Sequence, residues 1–243
     1  MGKVFATTSG KGGVGKSTVA VGLATAFCRT GKRVLLVDMD EGLGCLDLLL
    51  KLDDSAVFNL SDLLNGADFD DAVYPCPLCK DLFLIPAPTE LGKIEREALS
   101  NFAVTASELY DIVIFDFPAG IDFSFYTCLP ENTLFVTVAV PDTVSIRDAA
   151  TVSRNLTALK LKSRLVINRF NYKQSCKTGF KNIDFIIDSS GLRLLGLVPE
   201  SKELALLSVN HRLKRRGKVI SAFSRIASRM EGNSVLLPKL KKI

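Results

Sequence analysis

Short runs in which nearly every side chain is apolar recur along this chain, and between them apolar residues return at every third or fourth position. The first kind of run suits a parallel strand covered on both faces, the second a helix with one buried stripe. Apolar runs at 4–7, 33–37, 82–85, 112–116, 133–140, 165–168 and 195–198 predict strands. Helical spacing predicts helices over 17–29, where Val19, Leu23, Ala26 and Phe27 share a face, and over 90–108, 145–159 and 180–188. A last helix is expected over 221–230, with Ala222, Phe223, Ile226, Ala227 and Met230 on one side. Gly31 should close the first helix, because glycine takes the positive φ of a C-cap without steric cost. Strands alternating with helices require right-handed crossovers, so the fold class is α/β: a doubly wound, mainly parallel sheet flanked by helices on both faces. No internal repeat or low-complexity linker interrupts the pattern, and 243 residues with 47% hydrophobic content suit one domain over 1–243.

In such sheets ligands sit at the carboxyl ends of strands. The chemically distinctive residues of this chain cluster there. Gly10-Lys11-Gly12-Gly13-Val14-Gly15-Lys16-Ser17-Thr18 follows the first strand and fits G-x-x-x-x-G-K-[ST], a P-loop whose glycines let backbone N–H groups wrap a phosphate. The helix behind it adds unpaired N–H groups and a positive dipole end. In this reading Lys16 reaches the β/γ-phosphates and the Ser17 hydroxyl ligates Mg²⁺. Asp38 and Asp40 follow the second strand, and Asn168 and Arg169 the run at 165–167. Asp116 ends Ile112-Val113-Ile114-Phe115 in the form of a Walker B element, where a carboxylate holds a water of the Mg²⁺ shell. Pro118-Ala119-Gly120 could sense a γ-phosphate through backbone N–H groups.

Composition narrows the chemistry. The chain has one histidine, His211, inside a basic cluster and expected at the surface, which excludes mechanisms built on a histidine general base. Six cysteines without an export signal are expected to be mostly reduced thiols. Mean hydropathy is +0.25, yet no run of apolar residues is long enough to span a bilayer, so a cytoplasmic location is expected.

The glycine loop resembles the deviant Walker A loop of the MinD/ParA family of P-loop ATPases, whose mark is an extra lysine at the position of Lys11. Further stretches resemble the MinD branch: Asp38-Met39-Asp40-Glu41-Gly42-Leu43, Leu46-Asp47-Leu48-Leu49-Leu50, Phe117-Pro118-Ala119-Gly120-Ile121, Val144-Ser145-Ile146-Arg147-Asp148, Val166-Ile167-Asn168-Arg169 and Leu195-Gly196-Leu197-Val198-Pro199-Glu200. The resemblance covers residues 3–201. It implies ATP and Mg²⁺ as cofactors and a slow, partner-stimulated ATPase whose ATP-bound form is a homodimer. Lys11 would then reach across the dimer to the other subunit's phosphates, Lys16 would bind phosphate in its own subunit, Asp40 would orient the attacking water, and Asp38 would support the magnesium shell. Ser17 and Asp116 complete the metal set. Asn168, Arg169 and the backbone around Pro199 and Glu200 resemble base-contacting positions. The family implies a positioning switch that places a division inhibitor or an activator protein, either from the cytoplasm or from the inner face of the cell membrane.

Three stretches depart from the pattern. From His211 onward ten lysines and arginines face the single acid Glu231, which suits solvated helix flanks, an anionic membrane surface, or DNA bound non-specifically as in a ParA-type partitioning ATPase. Residues 235–243 mix apolar and basic side chains, which leaves three readings open: a short interfacial anchor with Pro238 in its first turn, a frayed terminus, or a contact with another protein. Cys76-Pro77-Leu78-Cys79, in an expected loop, leaves three readings open: plain loop cysteines, a redox pair, or half of a metal-cluster scaffold shared across a dimer. Asn171 to Lys181 reads as a basic loop without an assigned role.

Overall fold

A computed structural model describes residues 1–52, 56–120, 122–180 and 182–243. Ile121 and Lys181, singled out above, lie outside the described residues. The strands are β1 (Lys3–Thr8), β2 (Val34–Asp38), β3 (Tyr74–Pro75), β4 (Leu82–Ile85), β5 (Ile112–Asp116), β6 (Leu134–Ala139), β7 (Lys162–Phe170) and β8 (Leu194–Pro199). The helices are α1 (Lys16–Cys28), α2 (Leu46–Leu50), α3 (Leu60–Leu64), α4 (Phe69–Ala72), α5 (Arg96–Leu109), α6 (Thr143–Ala158), α7 (Tyr172–Thr178), α8 (Ile183–Ser190), α9 (Lys202–Ala205), α10 (Leu207–Asn210) and α11 (Lys218–Met230).

The strands form one sheet in the order β3-β4-β2-β5-β1-β6-β7-β8, parallel except for β3 at the edge. β1 therefore lies between β5 and β6, and the chain reaches β2 on one side and β6 on the other. That arrangement opens a crevice at the carboxyl end of β1, where the glycine loop emerges. Every residue of β2 and of β5 is buried, which is why these strands read as unbroken apolar runs.

Two helical layers cover the sheet. α1 packs between the sheet and α11 and is buried along nearly its whole length. The close approach depends on Gly22, since a Cβ there would overlap the ring of Phe223 on α11. α11 buries Val219, Ile220, Ala222, Phe223, Ile226, Ala227 and Met230, so the apolar stripe read from the sequence faces the core and the arginines stay outside, apart from Arg229. Arg229 donates to the carbonyls of Val235 and Leu195 and ties down the start of the tail. On the opposite face α5 and α6 bury Leu99, Phe102, Val152 and Leu156, while α8 contributes Ile186 to a third cluster.

Several boundaries differ from expectation. The helix expected from 90 begins at Arg96, because the N–H groups of Gly92, Lys93 and Ile94 are taken by the carboxylate of Glu41 from a distant loop. The basic stretch from Asn171 is a helix rather than a loop: Asn171 Oδ1 accepts from the N–H of Lys173 and Gln174, and Gly179 at φ 83° ends it. The helix expected from 180 starts at Ile183, behind the Asn182 cap. Gly31 has the positive φ expected of it, at 81°, but lies two residues past the C-cap, which is Arg29. α2, α3 and α4 were not expected, and neither was edge strand β3; α3 is held by a capping box between Asn59 and Asp62. His211 is half-buried rather than on the surface, with Nδ1 3.3 Å from the Leu49 carbonyl.

Candidate functional site

The loop from Ser9 to Gly15 joins β1 to α1 at the crevice, and its shape is set by residues from three other elements. Gly13 and Gly15 have φ of 78° and 84°, a region that L side chains avoid. A Cβ on Gly15 would also overlap the Asn168 amide, which donates from Nδ2 to the Val14 carbonyl at 2.8 Å. Asn168 thus supports the loop from beneath, and its Oδ1 is buried with no hydrogen-bond partner among the described residues. Gly10 packs on Asp148 of α6, and the N–H of Gly120 donates to the Ser9 carbonyl at 2.9 Å, joining the 117–120 stretch to the loop.

Lys16, at the start of α1, is buried and lies 2.9 Å from Oδ1 of Asp116 at the end of β5. Its Nζ also donates to the Ser17 hydroxyl at 3.3 Å. Burial alone would lower the pKa of this ammonium, but Asp116 and, more weakly, Asp38 and Asp40 raise it above 10.5, so it remains a cation. Asp116 Oδ1 also accepts the Thr7 hydroxyl. Asp116 Oδ2 is buried with no hydrogen-bond partner among the described residues.

Asp38 has a different environment. Oδ1 accepts the Asp40 N–H at 3.1 Å, and Oδ2 accepts those of Cys45 and Leu46 at 3.0 Å each. This carboxylate organises the loop from Met39 to Cys45 and the first turn of α2. Burial, with the nearby charge of Asp116, pushes its pKa up to about 7. Asp40 is half-buried at the crevice, and desolvation raises its pKa while Lys16 opposes the rise. Glu41, next in the chain, accepts the N–H groups of Gly92, Lys93 and Ile94 at 2.7–3.0 Å and fastens the same loop to the segment before α5.

These residues enclose a cleft of about 380 Å³. The structure brings together Gly12, Gly13, Gly15, Lys16, Ser17, Thr18, Asp40 and Arg169 around it, with Ala119 opposite. Lys11 lies at the mouth, half-exposed, with Nζ 4.0 Å from Asp142. Pro199 and Glu200 are not in this cleft. Glu200 shares a neighbouring hollow of about 200 Å³ with Asn171, Asp142 and Arg169, and Pro199 faces the tail near Pro238 and Ile243. Sequence reasoning missed Cys45, Leu48, Leu49 and Ser208 as lining residues. Leu48 and Leu49 lie in a stretch that resembles the family, but no lining role was read from it, and no motif marks Cys45 or Ser208; α2 and α10 bring all four to the cleft by packing on each other.

The cysteine pair behaves as part of the core. Cys76 is buried, its thiol pushed up to about 12 by burial, and Cys79 packs half-buried against the cluster that holds Cys28 of α1. With Cys76 buried and Cys79 half-buried against the same core, the packing favours the reading of plain loop cysteines. Among the described residues no group of three or more His, Cys, Asp or Glu could hold a metal by itself. A hydrated Mg²⁺ asks for less, one or two protein oxygens beside substrate phosphates, and the Ser17 hydroxyl with the unpartnered Asp116 oxygen fits that demand.

A parallel sheet with a glycine loop running into a helix at its switch point, a buried lysine and an acid ending the neighbouring strand define a P-loop nucleotide-binding protein. Residues 5–213 match the CobQ/CobB/MinD/ParA nucleotide binding domain, and the chain belongs to that family. Among its relatives, the septum site-determining protein MinD of Bacillus subtilis is 31% identical, covering 100% of this chain and 94% of the relative. MinD of Synechocystis is 30% identical over 97% of this chain and 91% of its own length. The solved MinC:MinD cell division protein complex of Aquifex aeolicus superposes with a TM-score of 0.86 at 28% identity, covering 98% of this chain and 99% of that one. No helix among the described residues is long and apolar enough to cross a membrane.

Proposed function

We propose that this chain is a single P-loop domain acting as an ATP-hydrolysing dimerisation switch of the MinD type, which places a partner protein in the cell. The observation that carries this reading is the buried Lys16–Asp116 pair beneath the glycine loop, with one carboxylate oxygen left unpartnered. Lys16 is held as a cation beside the loop and would exchange Asp116 for β/γ-phosphate oxygens when a triphosphate enters. Ser17 and Asp116 would then hold Mg²⁺ and its water shell, the metal neutralising charge between the β- and γ-phosphates. Asp40, on a loop fastened by Asp38 and Glu41, would orient the attacking water. With a single histidine in the chain, half-buried against α2, this half-buried carboxylate is the group suited to the task. Lys11, half-exposed, would leave its 4.0 Å pairing with Asp142 to reach a second subunit's phosphates and offset charge that develops in the transition state. Arg169, Asn168 and the hollow beside Glu200 are where a purine base would lie.

MinD proteins among the relatives, and the MinC:MinD complex among the structures, support a division-inhibitor class of partner. Dimerisation would turn weak surface contacts into usable attachment through avidity, to that partner and to anionic lipid through residues 235–243. A ParA-type role on DNA is the second reading, favoured by the exposed cations at Arg212, Lys214, Arg215 and Arg216. The deciding experiment is solution mass with ADP and ATP, repeated with anionic vesicles and with random duplex DNA. The proposal expects doubling of mass with ATP and ATP-dependent vesicle binding; a constant mass overturns the switch, and salt-sensitive duplex binding without vesicle binding moves the role to the ParA type.

A further inference from the structure

A further hollow adjoins the cleft at the glycine loop. It is a groove of about 920 Å³, with Pro77 and Leu78 on one wall and Leu206 and Val209 on the other. The Cys76–Cys79 turn explains the first wall: Cys76 is buried, Pro77 is exposed, and half-buried Leu78 packs against the core while also lining the groove. Leu206 and Val209 are 46% and 69% exposed, an unusual position for two aliphatic side chains side by side in a recess.

The groove is braced rather than left to chance. His211, at φ 46°, places Nδ1 3.3 Å from the Leu49 carbonyl. The Arg29 guanidinium donates to the carbonyls of Lys214 and Arg215 at 3.1 and 3.0 Å. Glu203 accepts the Lys214 N–H at 2.5 Å. That bond commits Glu203, the one acid among the described residues that line the groove, while Lys51, Lys202, Arg212 and Lys214 line it exposed.

We propose that this groove docks an acidic, amphipathic segment of a partner protein, aliphatic side chains between Pro77, Leu78, Leu206 and Val209, carboxylates on the surrounding cations. Charge complementarity selects the occupant. A bilayer meets convex surfaces rather than a recess, and a duplex would leave the apolar walls unused. The groove and the nucleotide cleft also share a wall: Leu48, Leu49 and Ser208 face the cleft, and their neighbours Lys51, Leu206 and Val209 face the groove. Resting on the nucleotide reading, this makes the segment and the nucleotide change each other's affinity by the same factor.

The test is a random peptide display library panned on the wild-type chain and on the Lys51→Glu/Arg212→Glu double variant. Wild type should select aspartate- and glutamate-rich sequences with spaced aliphatic residues. A synthetic peptide of the selected sequence should bind the double variant, and separately Val209→Asp, at least about tenfold more weakly by fluorescence anisotropy, while ADP affinity measured by calorimetry is retained as the check on folding. Absence of an acidic-aliphatic consensus overturns the proposal, as does peptide binding indifferent to these substitutions, or a dependence on the four cations seen with duplex DNA or anionic vesicles instead. Equal peptide affinity with and without ADP overturns the coupling alone. If no form of the chain binds ADP, the nucleotide reading fails and the peptide result still judges the groove, with circular dichroism as the folding check.

Discussion

Nζ of Lys16 sits 2.9 Å from Oδ1 of Asp116, and both side chains are buried, at 7% and 1% exposure. On the proposed reading, the lysine that would bind phosphate rests on the carboxylate that would hold the metal's water shell. Lys16→Ala should weaken ATP binding by more than about a hundredfold, the loss expected when a charged hydrogen bond worth about 3 kcal/mol is removed from a shielded site. It also leaves Asp116 as an uncompensated buried acid, so the nucleotide-free chain should lose as much as about 3–5 kcal/mol of stability. Calorimetry with ATP and urea denaturation separate the two effects.

Asp40→Ala should bind ATP with near-parental affinity and hydrolyse it at least about a hundredfold more slowly, within the range ascribed to a positioned base. Its mass in ATP should stay at the dimer value after the parental protein has returned to monomer. Phosphate release at the parental rate would assign the water-positioning role elsewhere.

The contact between Gly22 and Phe223 sets the spacing of α1 and α11. Phe223→Ala should cost about 3–5 kcal/mol, because a fully buried ring leaves a cavity between two helices and the sheet. Gly22→Val should also destabilise, by about 1–3 kcal/mol or more, through overpacking. The midpoint of urea denaturation reads both; an unchanged midpoint in either variant would refute the packing described.

Cysteine reactivity should follow burial. The Cys76 thiol, pushed up to about 12, stays protonated at pH 8, and burial pushes Cys28 higher still. Iodoacetamide at pH 8 should modify exposed Cys176 first and leave Cys28 and Cys76 intact until denaturant is added. Zinc and iron should be well below one atom per dimer in protein purified without a histidine tag. Rapid alkylation of Cys76 in the native chain would contradict its inward packing.

Leu236 is 90% exposed, while Leu240 and Ile243 pack against the cluster near α7 and α8. Deletion of residues 235–243 should reduce ATP-dependent co-sedimentation with anionic vesicles, with the parental ATPase rate retained. Equal pelleting of both forms would remove the tail from the membrane account.

Much of the site was legible because its signals are local. The glycine loop, Asp116 at the end of an apolar run, and Asp38 and Asp40 after another are each contained in a few consecutive residues, and strand ends are where α/β sheets bind ligands. The shifted start of α5 was not legible, since Glu41 claims the N–H groups of 92–94 from far along the chain. The helix α7, capped by Asn171 and ended by Gly179, was read only as a basic loop. Pro199 and Glu200 belong to the right edge of the sheet, yet the sequence carries no information on which hollow each would face.

By itself the order of residues determined the alternation of strands and helices and the identity of the anion loop, because periodicity and glycine placement act within one or two turns of chain. Folding in three dimensions decided everything that depends on residues far apart meeting. It paired Lys16 with Asp116, committed Asp38 to backbone N–H groups, buried Cys76, and set a basic, apolar-walled groove beside the cleft at the glycine loop. Those outcomes follow from burial and from satisfying polar groups once buried, and neither quantity exists until the sheet has formed.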